Sequence, residues 1–263
     1  RSGWLLLQDR WATDKFRTTV PPYPVPYWSG EKNARVLVWG EQGMGERIMY
    51  FPMLRDLAAY GCKVYREADH RILPMWQRSA PEITFVGDRH KFDVGEITHH
   101  IAIGDLGPFF RSKFEDFPQP PAHLQAHPEL VESMRAAMPE GKLTIGISWR
   151  STNQEYGSHK TMHILDMVEP LIEAFPDAIL VNLQYGDTAE EIQLVRNIHG
   201  REILTVPGVD LQENLEAVGG LMMLCDQVVT VSNTHAHLAA ALGRPTLICL
   251  TQTLPSASSQ THM

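Results

Sequence analysis

Residues 228–243, VVTVSNTHAHLAAALG, read as a strand, a short polar turn and a helix start in succession. Four β-branched residues lead into Ser232, Asn233 and Thr234, and the alanine-rich segment that follows stops at Gly243. Such a junction is an anion site. The unpaired N–H groups of a helix start and the positive end of its dipole point at whatever occupies the turn. His237, one turn into the helix, is placed to reach the same point. Three small polar residues exceed what one cap needs, and a diphosphate is the guest this chemistry favours. The competing expectation is a plain N-capped helix with His237 packed on a sheet.

Three other clusters carry polar chemistry at strand ends. The first, Gly40-Glu41-Gln42-Gly43-Met44-Gly45-Glu46, has the spacing G-x-x-G-x-G. Its glycines, Gly40, Gly43 and Gly45, permit a sharp turn and close approach of another molecule. The dinucleotide fingerprint has a different spacing, although Glu67, at the end of the next strand, stands where a nicotinamide enzyme keeps its ribose-binding acid. Glu46 at a helix start either favours the dipole or takes a proton from an acceptor hydroxyl. In the second cluster, Arg150 closes a strand, and its planar fork suits phosphate oxygens. Lys160 follows a polar loop, 151–159, and would either neutralise a leaving diphosphate or stand solvated. In the third, Gln184 and Tyr185 project from a strand end as readers of a nucleobase or ribose, with Asp187 or Thr188 capping the next helix. The sequence shows no zinc-ligand spacing, no Walker lysine loop and no G-x-S-x-G turn. His99 and His100 read as a strand edge, and nothing calls for a metal.

Regular alternation of strands and helices begins near residue 34. Strands are expected at 34–39, 62–66, 83–86, 92–94 and 99–103, with helices at 46–60 and 71–78. A proline- and aromatic-rich stretch and a helix at 128–138 lead to a boundary near Gly141. The scheme then repeats, with strands at 143–148, 178–183, 202–206, 227–231 and 245–250 and helices at 163–175, 188–199, 211–224 and 234–242. This pattern defines an α/β chain of two Rossmann-like, doubly wound domains facing a cleft, over 33–140 and 141–263. Residues 1–32 form an amphipathic arm and a proline connector, Pro21-Pro22-Tyr23-Pro24-Val25-Pro26.

Composition narrows the class. The 263 residues carry 23 basic and 31 acidic side chains, a net charge of −8, which argues against a broad nucleic-acid or anionic-membrane surface. Cys62, Cys225 and Cys249 lie far apart in apolar runs, as buried thiols in a reducing compartment do. No apolar run reaches the roughly 18 residues of a membrane span, so a cytoplasmic protein is expected.

Taken together, VWGEQGMGERIMYFPMLRDL, ISWRSTN with Lys160 after it, VNLQYGD and VVTVSNTHAHLAAALGRP resemble the catalytic region of tetratricopeptide-repeat-linked glycosyltransferases. Those are related to the heptosyltransferase family (glycosyltransferase family nine) and distantly to protein O-GlcNAc transferases. The resemblance runs from about Trp4 to Leu250, and PYWSGE is similar to the usual link from the repeats. It implies a GT-B fold with the acceptor on the first domain, the nucleotide sugar on the second, and neither metal nor cofactor. It also implies a helical-repeat module earlier in a longer protein. Glu46 falls where the family has its proposed base, commonly an aspartate. Ser232-Asn233-Thr234 replaces the D-T-G of heptosyltransferases, and Arg150, Lys160 and Gln184 match positions assigned to the donor diphosphate and nucleoside. The relatives' closing aromatic loop and helix have no counterpart in TQTLPSASSQTHM.

The expected activity is transfer of a sugar from a nucleotide-sugar donor to a hydroxyl of a glycan, lipid-linked or protein acceptor. A degenerate nucleotide- or glycan-binding module and a nicotinamide oxidoreductase are the alternatives.

Overall fold

The computed structural model describes residues 2–14, 20–41, 43–87, 94–118, 122–151 and 160–250. The chain forms two compact units. One comprises Arg1–His127 with Asn214–Glu216 and Ala240–Gly243, and the other holds the remainder. The division therefore falls at His127/Pro128 rather than near Gly141, and the arm is part of the first unit.

The first unit contains a parallel sheet of β1 (Arg35–Trp39), β2 (Lys63–Glu67), β3 (Thr84–Val86) and β4 (His99–Ala102), in the order β3-β2-β1-β4. The second contains β5 (Thr144–Ser148), β6 (Ile179–Asn182), β7 (Ile203–Leu204), β8 (Gln227–Val231) and β9 (Thr246–Cys249), in the order β7-β6-β5-β8-β9. All pairings between these strands are parallel. Parallel sheets are covered on both faces, and every residue of β5 is buried. On one face Ile145, Ile147 and Trp149 join the core with Val168, Leu180 and Val229. On the other, Gly146 admits Leu183, whose Cδ1 lies 2.5 Å from where a Cβ would stand.

The helix expected at 46–60 is two helices, Met44–Tyr50 and Pro52–Ala59. Pro52 has no N–H to continue the ladder and its ring crowds the preceding turn, so Phe51 closes the first helix on Ile48 and opens the second. The long helix expected at 211–224 begins only at Leu215, and the strand at 202–206 shrinks to β7. The strand expected at 92–94 falls mostly outside the described residues, with a 3-10 turn at Val94–Glu96. The loop 152–159 and the tail 251–263 also lie outside them.

In each sheet the connections run outward from the first strand and then return to its other side. The loops after β1 and β4, and those after β5 and β8, therefore diverge at a topological switch point, where open α/β sheets bind ligands. In the first unit the arm fills that place. Helix Ser2–Gln8 lays the Trp4 ring against Gly107, where no side chain could fit, and the Trp4 indole N–H donates to the Arg111 carbonyl at 2.7 Å. Arg10 then reaches Glu41, after β1, through Nε at 2.5 Å and Nη2 at 2.9 Å, and Asp105, after β4, at 2.7 Å. The Gly104 N–H donates to Glu41, and the Tyr27 hydroxyl and Trp11 indole donate to Asp105. Further along, Tyr27 bridges to His100, the Trp28 N–H donates to the His100 carbonyl and the His100 N–H to the Pro26 carbonyl. The connector thus covers the outer edge of β4, an edge that would otherwise present unpaired backbone groups.

Arg10→Ala strands two buried carboxylates, and breaking such a group from one side costs about 3–5 kcal/mol. Urea unfolding monitored by circular dichroism is expected to show that loss, and Arg10→Lys is expected to recover only part of it.

Candidate functional site

At the switch point of the second unit the ends of three strands are tied together by two buried amides. Gln184 lies two residues past β6 and is fully buried. Its side-chain oxygen accepts from the Ser148 hydroxyl at 3.1 Å, the Trp149 N–H at 2.9 Å and the Arg150 N–H at 2.8 Å. Its amide nitrogen donates to the Tyr185 carbonyl, and its own N–H donates to Asn182. Asn233 repeats this arrangement after β8. Its Oδ1 accepts from the N–H groups of His235 and Ala236, capping helix Thr234–Ala241, and from the Thr230 hydroxyl. Its Nδ2 donates to Ser148 at 2.9 Å and to the Arg150 carbonyl at 3.4 Å. The loop bearing Arg150 and the turn ahead of His237 are therefore adjacent, joined through Asn233.

This geometry corrects three expectations. Gln184 does not project as a nucleoside reader, because its polar atoms are committed inside the protein. Asn233 is likewise buried, so the polar turn offers Ser232 and Thr234 rather than all three residues. Arg150 does not stand with an open fork. Its Nε and Nη2 engage Glu191, the latter at 3.0 Å, and Nη2 also donates to the Asp187 carbonyl at 2.6 Å. The same Glu191 accepts from the Trp149 indole at 2.7 Å. Asp187 caps through its side chain, which accepts from the Ala189 N–H. Lys160 lies two residues before Met162, whose N–H donates to the Trp149 carbonyl, and so it returns to the end of β5. Among the described residues, Lys160, Ser232 and Thr234 have half-buried side chains without a hydrogen bond or ion pair. His237 is half-buried and engaged.

Sequence reasoning missed His235. It is buried edge-on to the Tyr185 ring, with centroids 5.2 Å apart, and its Nδ1 has no partner. Burial lowers its pKa to about 4. Two histidines two residues apart at a helix start face different ways, and only the packing decides which one goes under.

In the first unit Glu46 sits in the first turn of helix Met44–Tyr50, half-buried, with no hydrogen bond or ion pair among the described residues. The glycine loop is not an open cradle. Arg47 occupies the space beside Gly40, and a Glu46 carboxylate oxygen lies 3.1 Å from where Gly43 would carry a Cβ. Gly45 is buried within the helix. Glu67 accepts from the Tyr23 hydroxyl at 2.7 Å and, at 3.4 Å, from the Gly40 N–H, so it is engaged where the nicotinamide alternative needs a free acid. Neighbouring Glu41, to which sequence reasoning gave no role, is the buried partner of Arg10, and burial raises its pKa. No group of three or more potential metal ligands is found among the described residues.

The two parallel-sheet units, each with its switch-point loops, define the α/β fold of GT-B glycosyltransferases. Among solved structures, the E. coli ADP-heptose lipopolysaccharide heptosyltransferase II is similar over 81% of this chain and 84% of its own, with a TM-score of 0.59 and 15% identity. A glycosyltransferase of family nine from Veillonella parvula matches 84% of this chain and 82% of its own at a TM-score of 0.56 and 11% identity. The iron-containing dodecameric glycosyltransferase TibC of enterotoxigenic E. coli matches 82% of this chain and 58% of its own at 0.54 and 14%. Among curated proteins, Protein FlbA of Caulobacter vibrioides is 28% identical over an alignment of 285 positions, covering 99% of this chain and 46% of that protein. The chain thus spans about half the length of this curated relative. No family model matches.

Asn233→Ala removes a cap worth about 1 kcal/mol and leaves buried hydroxyl partners unpaired, for a total of about 2–3 kcal/mol in urea unfolding. His235 gives a pH signature. Its folded pKa, about 4, lies below the ordinary imidazole value of 6.5, so between these the unfolded chain takes up a proton that the folded chain refuses. Stability is therefore lost as pH falls from about 6.5 toward 4. Thermal melts of wild type and His235→Gln at pH 7 and pH 5 are expected to show a smaller acid-induced drop in the variant.

Proposed function

We propose that this chain is the catalytic region of a metal-independent, cytoplasmic, inverting glycosyltransferase acting on a nucleotide-sugar donor. The observation that carries the proposal is the second switch point. Its strand ends are locked by Gln184 and Asn233, while Lys160, Ser232 and Thr234 of the strand-end loops have no internal acceptor and the positive end of an eight-residue helix lies at the Ser232–Thr234 turn. A diphosphate supplies what these donors lack, and charge accumulates on it as the glycosidic bond breaks. The fold shared with heptosyltransferases supports the same assignment.

In this mechanism the carboxylate of Glu46 accepts the proton of the acceptor hydroxyl, the hydroxyl oxygen forms its bond to the anomeric carbon, and the bond to the diphosphate breaks with its electron pair leaving on the phosphate oxygen. Lys160 and the helix start stabilise that oxygen. Gln184 and Asn233 act as positioning residues. Arg150, already paired with Glu191, adds a held positive charge behind the phosphates and orients the loop. The proposal includes a helical-repeat module elsewhere in the protein and a glycan, lipid-linked or protein acceptor.

Isothermal titration with ADP and UDP tests the diphosphate site. Lys160→Ala is expected to weaken binding about tenfold, or ~1.4 kcal/mol, and Arg150→Ala to weaken it less. Absence of binding to either nucleotide at millimolar concentration would overturn the proposal. Glu46→Gln is expected to leave nucleotide affinity within about twofold while lowering turnover of a competent donor–acceptor pair by about 10²–10⁴. Equal turnover in the variant would remove Glu46 from the base role, and nucleotide binding without donor turnover in wild type would favour a binding module.

A further inference from the structure

A second set of donors without acceptors lies in the first unit, at the end of β2. Arg66 is fully buried, and only its Nη1 is satisfied, by the Val38 carbonyl at 3.1 Å. Its Nε and Nη2 have no partner, and neither do the Trp76 indole nitrogen and the Arg47 Nε, all four of them buried atoms. These groups are neighbours. The Arg66 guanidinium lies over the Trp76 ring, 5.4 Å from its centroid, and Arg47 rests against Gly40, two residues past Val38 on the same strand end.

Nearby acids do not resolve the imbalance. Asp69 is engaged by Arg71 through its Nε, Nη2 and N–H at 3.0, 2.9 and 3.1 Å, and stands 3.8 Å from the nearest Arg47 nitrogen. Glu67 faces the Tyr23 hydroxyl and the Gly40 N–H. Burial first, and then the charge of Arg47, lower the Arg66 pKa to about 10, and the nearby charges of Glu67 and Asp69 oppose that shift only in part. A buried guanidinium with unmatched donors is costly, and buried donors are normally matched by acceptors. One water cannot serve four donors from three side chains, whereas an oxyanion has the lone pairs and the charge.

We propose that Arg66, Arg47 and Trp76 form a binding site for a phosphate group, separate from the diphosphate site of the second unit. Arg66 and the Trp76 indole form its floor. Arg47, whose side chain is 26% exposed, forms its solvent side. That the phosphate is carried by the acceptor rests on the transferase reading; that the phosphate binds does not.

The test is isothermal titration and thermal unfolding of the full chain in chloride buffer at constant ionic strength, with inorganic phosphate and with glucose 1-phosphate. Saturable binding in wild type is expected, with a rise in melting temperature, and Arg66→Met is expected to abolish both while keeping ADP or UDP affinity within about twofold. If Arg66→Met does not fold, Arg47→Met is expected to weaken phosphate at least about tenfold, or ~1.4 kcal/mol. Tighter binding of glucose 1-phosphate than of inorganic phosphate assigns the site to an ester ligand, and equal binding assigns it to the free ion. No saturation up to tens of millimolar, unchanged binding in the Arg66 and Arg47 variants, or full competition by ADP or UDP overturns the proposal. Failure of nucleotide binding alone would overturn the transferase reading and leave this site standing.

Discussion

The Gln184 side-chain oxygen accepts three hydrogen bonds in a place with no solvent, and the layout of the second unit follows from that. Where a parallel strand ends, its last N–H groups lose the neighbour that paired them, yet at a switch point they remain buried. Trp149 and Arg150 face that problem, and an amide oxygen from the next strand end solves it. Asn233 answers the same need from the other side while also capping a helix. Both amides are spent internally and fix the ends of β5, β6 and β8 relative to one another. Buried, fully satisfied polar networks specify one arrangement strongly, which is what the proposed diphosphate site would require.

The two units handle corresponding loops in opposite ways. In the second, the switch point keeps donors unengaged at its rim. In the first, the loops after β1 and β4 hold acids instead, Glu41 and Asp105, and Arg10 of the arm neutralises them. Glu46 stands next along the chain without such a partner.

The periodicity and turn chemistry of the chain made the strands, their order of appearance and the strand-end loops legible, since parallel strands read as continuous apolar runs. What side chains do in those loops was not legible, because their partners come from far along the chain. Glu191 holds Arg150 from a helix after the next strand, and Arg10 reaches Glu41 from an arm that lies beyond the proline connector. Arg66, in KVYRE, has the look of a solvent-facing position on an alternating strand; burial on both faces of a parallel sheet erases that alternation. Pro52 was visible in the sequence as a helix breaker, but the strong apolar pattern on both sides of it masked the break.

The seating of the arm bears on how this region can be isolated. Composition changes most sharply at the proline connector, and a fragment beginning just after it, near residue 33, would look like a tidy recombinant boundary. Such a cut would discard Trp4, Arg10, Trp11, Tyr27 and Trp28 together, baring Gly107 and the edge of β4 and leaving Glu41 and Asp105 facing each other uncompensated. The fragment would be expected to precipitate, and inactivity in it would say nothing about catalysis.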